Sequence, residues 1–172
     1  VTATHNHSSM DRTFEGDTEA SIVNAIITDV ADMHPVKIGL GKSQIDESFN
    51  RRWVKNDGTV EMIWSNPTRD TKYDGPVDKE ITVIRLEKND GSTLATLVNY
   101  ACHAVVLGAG NTLISADFPG QVRQQVENSL GGLCLYLQGA AGDLDPYNCL
   151  LSGQAGFDEI QRLGSAIAAE AV

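Results

Sequence analysis

The sequence predicts an α/β fold in which a central mixed β-sheet is flanked by helices. Short segments with alternating or continuous apolar residues, as expected for strands, lie between segments whose apolar residues recur at helical spacing. The length of 172 residues suits one domain with a sizeable core, and no change in composition marks a linker. The chain starts at Val1 within an expected strand end and stops at Val172 within a helical pattern. We therefore expect residues 1–172 to form a single, partial domain.

The first part of the chain predicts a strand end, a loop, a helix and a strand. The polar residues 8–16 predict a loop over the strand end. Apolar residues at helical spacing predict an amphipathic helix over residues 18–33, which Pro35 ends because proline disfavours helix in the residue before it. Alternation of apolar and polar residues then predicts a strand over residues 36–45.

The middle of the chain predicts a long loop followed by a β-hairpin. Residues 50–78 are rich in Asn, Asp, Gly, Pro and Thr, and a loop of that length is usually functional or disordered. Residues 81–87 and 93–102 have strand-like patterns and flank the turn-forming residues 88–92, which indicates two antiparallel strands.

The last part of the chain predicts two helices around a buried strand. A helix is expected over residues 121–130, with Pro119 near its first turn. The continuous apolar run 133–137 is typical of a strand buried on both faces, and residues 157–172 predict an Ala-rich helix that covers the core. We expect the sheet to contain strands near residues 1, 38, 84, 97 and 135, with the three helices packed on its faces.

The charge of the chain narrows the classes of partner. A net charge of −10 argues against nucleic-acid binding, which relies on clustered Lys and Arg. The sequence has no apolar run of about 18 residues, so we expect no transmembrane segment. The three cysteines show no CxxC spacing, and two of them lie in apolar runs where Cys packs as a small apolar residue.

Two of the four histidines, His5 and His7, are two positions apart. In an extended backbone, side chains at i and i+2 point to the same face, so this spacing predicts two neighbouring imidazoles of the kind that bind metal ions. The alternative is that both are ordinary surface or hydrogen-bonded histidines.

Other candidate site residues follow two of the predicted strands. His103 ends the strand 93–102 and is either an active-site residue or a buried core histidine satisfied by a carbonyl group. Asp117 lies near a helix start, as a capping group or a site carboxylate. Small residues up to Gly142 follow the strand 133–137, so Asp143 or Asp145 could reach the cleft with the histidines.

Four stretches of the chain resemble, in the same order, the N-terminal domain of the neutral/alkaline non-lysosomal ceramidase family. Thr2-Ala3-Thr4-His5-Asn6-His7-Ser8 is similar to the family's Ala-Thr-His-Thr-His-Ser-Gly segment, and Asn50-Arg51-Arg52 to its Asn-Arg element. The third stretch runs from Asn99-Tyr100-Ala101-Cys102-His103 to Asp117-Phe118-Pro119-Gly120. The fourth, Gly142-Asp143-Leu144-Asp145-Pro146, resembles the family's Gly-Asp-x-Ser-Pro loop.

The resemblance implies a zinc-dependent hydrolase that cleaves the amide bond of a small-molecule or lipid N-acyl substrate. It implies Zn²⁺ ligands at His5 and His103, a proton-transfer or hydrogen-bonding role for His7 and a substrate-binding or orienting role for Arg51. Asp117, Gly142 and Asp143 are expected around the substrate and the metal shell, where one of the two aspartates could also stand in as a ligand. A secreted or periplasmic location is likewise implied by the family.

Two departures from the family lead to further expectations. The family completes its zinc shell with a downstream Glu and Tyr, which implies further domain segments C-terminal to this chain. Asp145 occupies the position of a catalytically important Ser, and an anion in place of that hydroxyl would change substrate preference. Two alternatives to the amide hydrolase remain open, namely a non-catalytic lipid- or glycan-binding module and a metal-dependent ester or phosphoester hydrolase.

Overall fold

The computed structural model describes residues 3–9, 18–64 and 75–172. The predicted α/β class is confirmed, because strands and helices are mixed along the described chain. The elements are α1 (Thr18–Ala31), β1 (Val36–Gln44), β2 (Ser48–Asn50), β3 (Arg52–Val54), β4 (Val60–Met62), β5 (Glu80–Lys88), β6 (Thr93–Tyr100), α2 (Asp117–Leu130), β7 (Leu133–Gln138), β8 (Leu144–Pro146) and α3 (Gly153–Ala171).

The main sheet is mixed and has the strand order β1-β5-β6-β7. Strand β5 runs antiparallel to both β1 and β6, and β7 runs parallel to β6. The predicted strands near residues 38, 84, 97 and 135 are therefore confirmed. The strand predicted near residue 1 is wrong for the described residues, because there Asn6 forms an isolated parallel bridge with Ala104 outside the sheet.

The hairpin predicted between β5 and β6 is confirmed. The amide of Lys88 donates to the carbonyl of Ser92 at 2.9 Å, and the amide of Gly91 donates to Lys88 at 3.0 Å. Gly91 has a φ of +88°, a left-handed conformation that glycine adopts without the steric cost of a Cβ atom. This turn sets the register of the two strands, and β6 leads directly towards His103.

The hydrophobic core lies between the sheet and helices α2 and α3. Helix α3 contacts α2 and the strands β1 and β5, while α2 contacts β7. The predicted apolar face of α3 is confirmed, since Ile160, Leu163, Ile167 and Ala171 are all buried. The loop after β6 adds Val106 and Leu107 to the core. Strands β5, β6 and β7 and helix α2 contribute Ile81, Val98, Tyr100, Phe118, Val122, Val126 and Tyr136.

Two packing predictions are wrong. Helix α1 forms as predicted, two residues shorter, but none of its described residues is buried, so it does not pack on the sheet as expected. Strand β7 is not buried on both faces, because Leu133 and Leu135 are exposed while Cys134 and Tyr136 are buried. Its single neighbour in the sheet is β6, so it forms an edge of the sheet as described.

The segment predicted as a long loop contains short strands at its start. Strands β3 and β4 form a hairpin, and β2 pairs antiparallel with β8 so that Phe49 lies opposite Asp145. Residues 65–74 of the predicted loop and residues 10–16 of the predicted N-terminal loop lie outside the described residues. The β2–β8 pairing joins two of the sequence motifs, which are about ninety residues apart in the chain.

Candidate metal centre

The segment that carries His5 and His7 is held beside Ala104, the residue after His103. The amide of His7 donates to the carbonyl of Ala104 at 3.3 Å, and Asn6 forms the bridge with the same residue. His5 has a φ of +47°, so the extended backbone assumed for this pair is wrong at that residue. The two imidazoles are nevertheless neighbours, with ring centroids 5.5 Å apart. A left-handed turn, not strand alternation, brings them together.

His103 enters the site from the end of β6. Its amide donates to the carbonyl of Leu144 at 2.9 Å, which fixes the backbone next to β8. Its Nδ1 atom lies 3.2 Å from the carbonyl oxygen of Ala141. Because a carbonyl oxygen only accepts, Nδ1 carries the proton in this hydrogen bond and the lone pair is on Nε2. This tautomer, fixed by a backbone carbonyl, is the usual state of a metal-binding imidazole.

The three imidazoles of His5, His7 and His103 converge. The ring of His103 lies 4.7 Å from that of His5 and 4.9 Å from that of His7, centroid to centroid. The Nε2 atoms of His7 and His103 are 2.9 Å apart, and one candidate donor atom from each residue lies within 4.8 Å of the other two. Three imidazole nitrogens form a donor set that suits Zn²⁺. The residues present therefore fit a zinc ion, and we refer to them as the histidine cluster.

The surroundings of His7 and His103 favour neutral rings. Burial lowers the pKa of His103 below its usual value, although the Ala141 carbonyl and Asp145 oppose the shift. The pKa of His7 is also lowered, first by burial and then by the positive charge on a protonated His5. Neutral imidazoles have lone pairs for a metal ion or a proton, so these shifts suit both uses.

Arg51 and Asp145 form a partly buried ion pair beside His103. The carboxylate of Asp145 is 2% exposed as a residue, and its Oδ1 atom lies 3.4 Å from Nη1 of Arg51 and 3.8 Å from Nδ1 of His103. Nη2 of Arg51 donates to the carbonyl of Gly142 at 2.7 Å, and the guanidinium stacks 4.8 Å from the ring of Trp64. Burial raises the pKa of Asp145, and the neighbouring Arg51 and His103 oppose this. Through these contacts Arg51, directly after β2, binds both β8 and the residue Gly142 that precedes it.

The other two aspartates bind parts of the scaffold. Asp143 accepts a hydrogen bond from the side-chain amide of Asn50 at 3.1 Å. Asp117 accepts from the amides of Leu107 at 3.0 Å and Phe118 at 2.7 Å, which agrees with the capping interpretation. Among the described residues, the group with metal-site geometry contains the three histidines alone. Neither aspartate belongs to that group, so a ligand role for Asp117 or Asp143 stays a prediction.

A cleft of about 240 Å³ opens beside the cluster and is lined by His5, His103, Gln138, Gly139, Ala141 and Gly142. The close approach of Gly139 to Ala101 shapes it, because a Cβ atom at position 139 would lie 2.9 Å from the Cα atom of Ala101. Gln138 donates from Nε2 to the carbonyl of Cys102 at 2.9 Å. We did not identify Gln138 from the sequence, because a glutamine at a strand end carries no distinctive pattern.

No helix in the described part of the chain is both long and apolar enough to cross a bilayer, as the sequence led us to expect.

Comparison with known proteins gives one family. The family described as "Neutral/alkaline non-lysosomal ceramidase, N-terminal" matches residues 3–136. A curated relative, Neutral ceramidase B of Dictyostelium discoideum, is 30% identical over 82 residues, which are 46% of this chain and 11% of the relative.

Two solved structures share the fold. The structure described as "Ceramidase complexed with C2" has a TM-score of 0.73 and 20% identity, covering 99% of this chain and 29% of the other. The neutral ceramidase from Pseudomonas aeruginosa has a TM-score of 0.65 and 22% identity, covering 88% and 24%. The chain thus spans under a third of each of these relatives.

Proposed function

The chain belongs to the neutral/alkaline non-lysosomal ceramidase family, and on this basis we propose that it contributes the histidine cluster of a zinc-dependent amide hydrolase. The proposed substrate class is an N-acyl lipid of the ceramide type, cleaved to an amine and a fatty acid. The observation that carries the proposal is the convergence of His5, His7 and His103 beside an open cleft.

In the proposed site, His5 and His103 hold the zinc ion. His103 suits this role because its Nδ1–H group is bound to the Ala141 carbonyl, which leaves Nε2 free to donate its lone pair. A zinc ion held there supplies Lewis acidity towards the scissile carbonyl and activates water as a nucleophile. Further ligands come, in this proposal, from outside the present chain.

We assign proton transfer to His7. Amide hydrolysis requires a proton to be taken from the attacking water and another to be given to the leaving amine. The lowered pKa of His7 keeps this ring neutral near pH 7, so it can accept the first of these protons. Its Nε2 atom lies 2.9 Å from that of His103, so the ring is next to the proposed metal position.

Arg51 and Asp145 are assigned to the support of the cleft, behind the residues that line it. The Arg51 guanidinium keeps Nη1 towards Asp145 and Nη2 on the Gly142 carbonyl, so it fixes the loop that lines the cleft. Asp145, at the position of the family's Ser, is buried and paired with Arg51. A substrate hydroxyl would therefore meet a different partner here, and we expect a substrate preference that differs from that of ceramidases with Ser.

A second candidate function is a binding module of the same fold that takes up a lipid or glycan without turnover. The replacement of a hydroxyl by the buried Asp145 carboxylate favours this candidate. The binding module would take up the substrate without releasing an amine, whereas the hydrolase would release it. One experiment therefore separates the two functions.

The test is hydrolysis by the full-length protein of a panel of N-acyl amides and matched esters, with products identified by mass spectrometry. We expect amine release from N-acyl lipids by the wild type, and its loss in His5→Ala. The matched control is His34→Ala, since His34 is exposed and lies outside the histidine cluster. Binding without turnover would support the module, and release from esters alone would support an ester hydrolase.

A further inference from the structure

Asn6 lies between the two histidines and uses both ends of its side-chain amide. Its Oδ1 atom accepts from the backbone amide of Ser8 at 2.5 Å, and its Nδ2 atom donates to the backbone carbonyl of Ser115 at 2.6 Å. The first bond closes a local turn around His7, and the second crosses more than one hundred residues of sequence. One side chain therefore fixes the turn and its place in the fold.

The histidine segment is bound on two sides. On one side, the backbone of Asn6 and His7 pairs with Ala104, directly after His103. On the other side, the amide of Ser115 donates to the carbonyl of Ser8 at 3.0 Å, beside the Asn6–Ser115 bond. The Ala104 contact is a single bridge, and the contacts with Ser115, together with the Asn111–Ser8 side-chain hydrogen bond at 3.3 Å, hold the segment on its other side.

The backbone of His5 shows why this support matters. A φ of +47° is uncommon for a residue with a side chain, and such a conformation persists where the surrounding contacts determine it. His5 is itself exposed, so burial of its own side chain does not hold it in place. Asn6 is the next residue and makes the nearest side-chain hydrogen bonds.

We propose that Asn6 is a positioning residue for the histidine cluster. By linking the histidine segment to Ser115 it holds His5 and His7 against His103 before a metal ion arrives, so less ordering is needed on binding. This inference rests on the proposed zinc site and adds to it. To bind both the Ser8 amide and the Ser115 carbonyl, the residue between the two histidines needs an acceptor and a donor at the end of a short side chain. Asparagine has both.

The test is the zinc affinity of the full-length protein, measured by competition with a chelating dye of known affinity, for wild type, Asn6→Ala and Asn6→Leu. Leucine keeps the branched shape and the number of heavy atoms of asparagine without its hydrogen bonds. We expect both variants to bind zinc about 10- to 100-fold more weakly, the range known for residues that orient metal ligands. Melting temperatures are measured in parallel on the metal-free proteins.

The matched control is Asn99→Ala. Asn99 also donates from a partly buried side-chain amide to a backbone carbonyl, that of Leu137 at 2.9 Å, but within the sheet. We expect this variant to lose thermal stability and keep its zinc affinity. The comparison separates positioning from a general loss of stability, including the case in which an Asn6 variant is less stable.

Three outcomes overturn the proposal. Zinc affinity unchanged in both folded Asn6 variants would contradict positioning while leaving the proposed function intact. An equal loss of zinc affinity in Asn99→Ala would show that the loss in the Asn6 variants comes from lower overall stability and not from positioning. Absence of zinc binding by the wild type would overturn the proposed function as well, and His103→Ala, included in the series, identifies that case because it would then match the wild type.

Discussion

At the scale of single residues, the account depends on how His103 is held. Its Nδ1–H group faces the Ala141 carbonyl at 3.2 Å, and the Asp145 carboxylate lies 3.8 Å from the same nitrogen. The positive charge of Arg51 pairs with the Asp145 carboxylate and so weakens the effect of the carboxylate's negative charge on the His103 ring. The residues that set the chemistry of His103 thus come from two separate parts of the chain, residues 141–145 and Arg51, and Asp145 and Arg51 act through their side chains.

The lowered pKa values of His7 and His103 give a prediction about pH. The imidazoles titrate near 6.5 in the unfolded chain and at lower pH in the folded one. Just below pH 6.5 the unfolded chain therefore binds more protons, so the free energy of unfolding of the metal-free protein falls as the pH falls through this window. More than about one pH unit above 6.5, both states are neutral and these two residues add no pH dependence.

The measurement is urea denaturation of the chelator-treated protein between pH 7.5 and about 5, with His103→Asn as the variant. The variant should show a smaller fall in unfolding free energy than the wild type, because one depressed imidazole is removed. His34→Ala, outside the histidine cluster, should keep the fall. Equal slopes in the wild type and His103→Asn would contradict the pKa argument.

At the scale of elements, the sequence patterns predicted local structure better than packing. The helical spacing of apolar residues identified α1, because that period follows from backbone geometry, and a continuous apolar run identified β7. It did not predict what covers each apolar face. Ile27 and Val30 in α1 and Leu133 in β7 remain exposed in the described structure, although their apolar character led us to expect burial.

The short strands β2 and β8 were harder to predict, for a physical reason. Each has three residues, too few for a period to be recognised, and their pairing joins positions about one hundred residues apart. That pairing, and not any feature of the loop itself, brings Arg51 to Asp145. The chemical types of the site residues were visible in the sequence, whereas the turn at His5 and the link through Asn6 were not.

Arg162 in α3 provides a prediction about how an element is held. Its guanidinium binds Glu47, before β2, with contacts of 3.1 and 2.8 Å and also binds Glu159 in its own helix at 2.7 and 2.9 Å. Both glutamates are buried, so Arg162→Met would remove the Arg162 counter-charge from two buried carboxylates. Because Arg162 is itself 44% exposed, we expect a loss of about 1–3 kcal/mol in unfolding free energy.

The control for Arg162 is an exposed ion pair of similar geometry. Lys42 and Glu80 are 2.8 Å apart, and both side chains are exposed. Lys42→Met should change the unfolding free energy by less than about 1 kcal/mol, since exposed pairs contribute little. Thermal and urea denaturation measure both variants, and similar losses in the two would show that burial of the glutamates has no special effect.

At the scale of the whole molecule, the candidate site is made by long-range contacts. His7 and His103 are ninety-six residues apart in sequence and have ring nitrogens 2.9 Å apart. The sheet and helices α2 and α3 form the frame, and loops at the strand ends contribute the site residues, as is common in α/β proteins. The matched ceramidase structures are more than three times as long as this chain, and our proposal assigns the remaining zinc ligands to segments beyond it.

The central claim is that the histidine cluster binds zinc, and metal content tests it most directly. The full-length protein is purified, incubated with zinc, freed of loose metal and analysed by plasma mass spectrometry, as wild type, His103→Ala and His34→Ala. We predict about one zinc ion per chain in the wild type and His34→Ala, and a clear loss in His103→Ala. Wild-type zinc content in His103→Ala, or no bound zinc in any of the three proteins, would contradict the account.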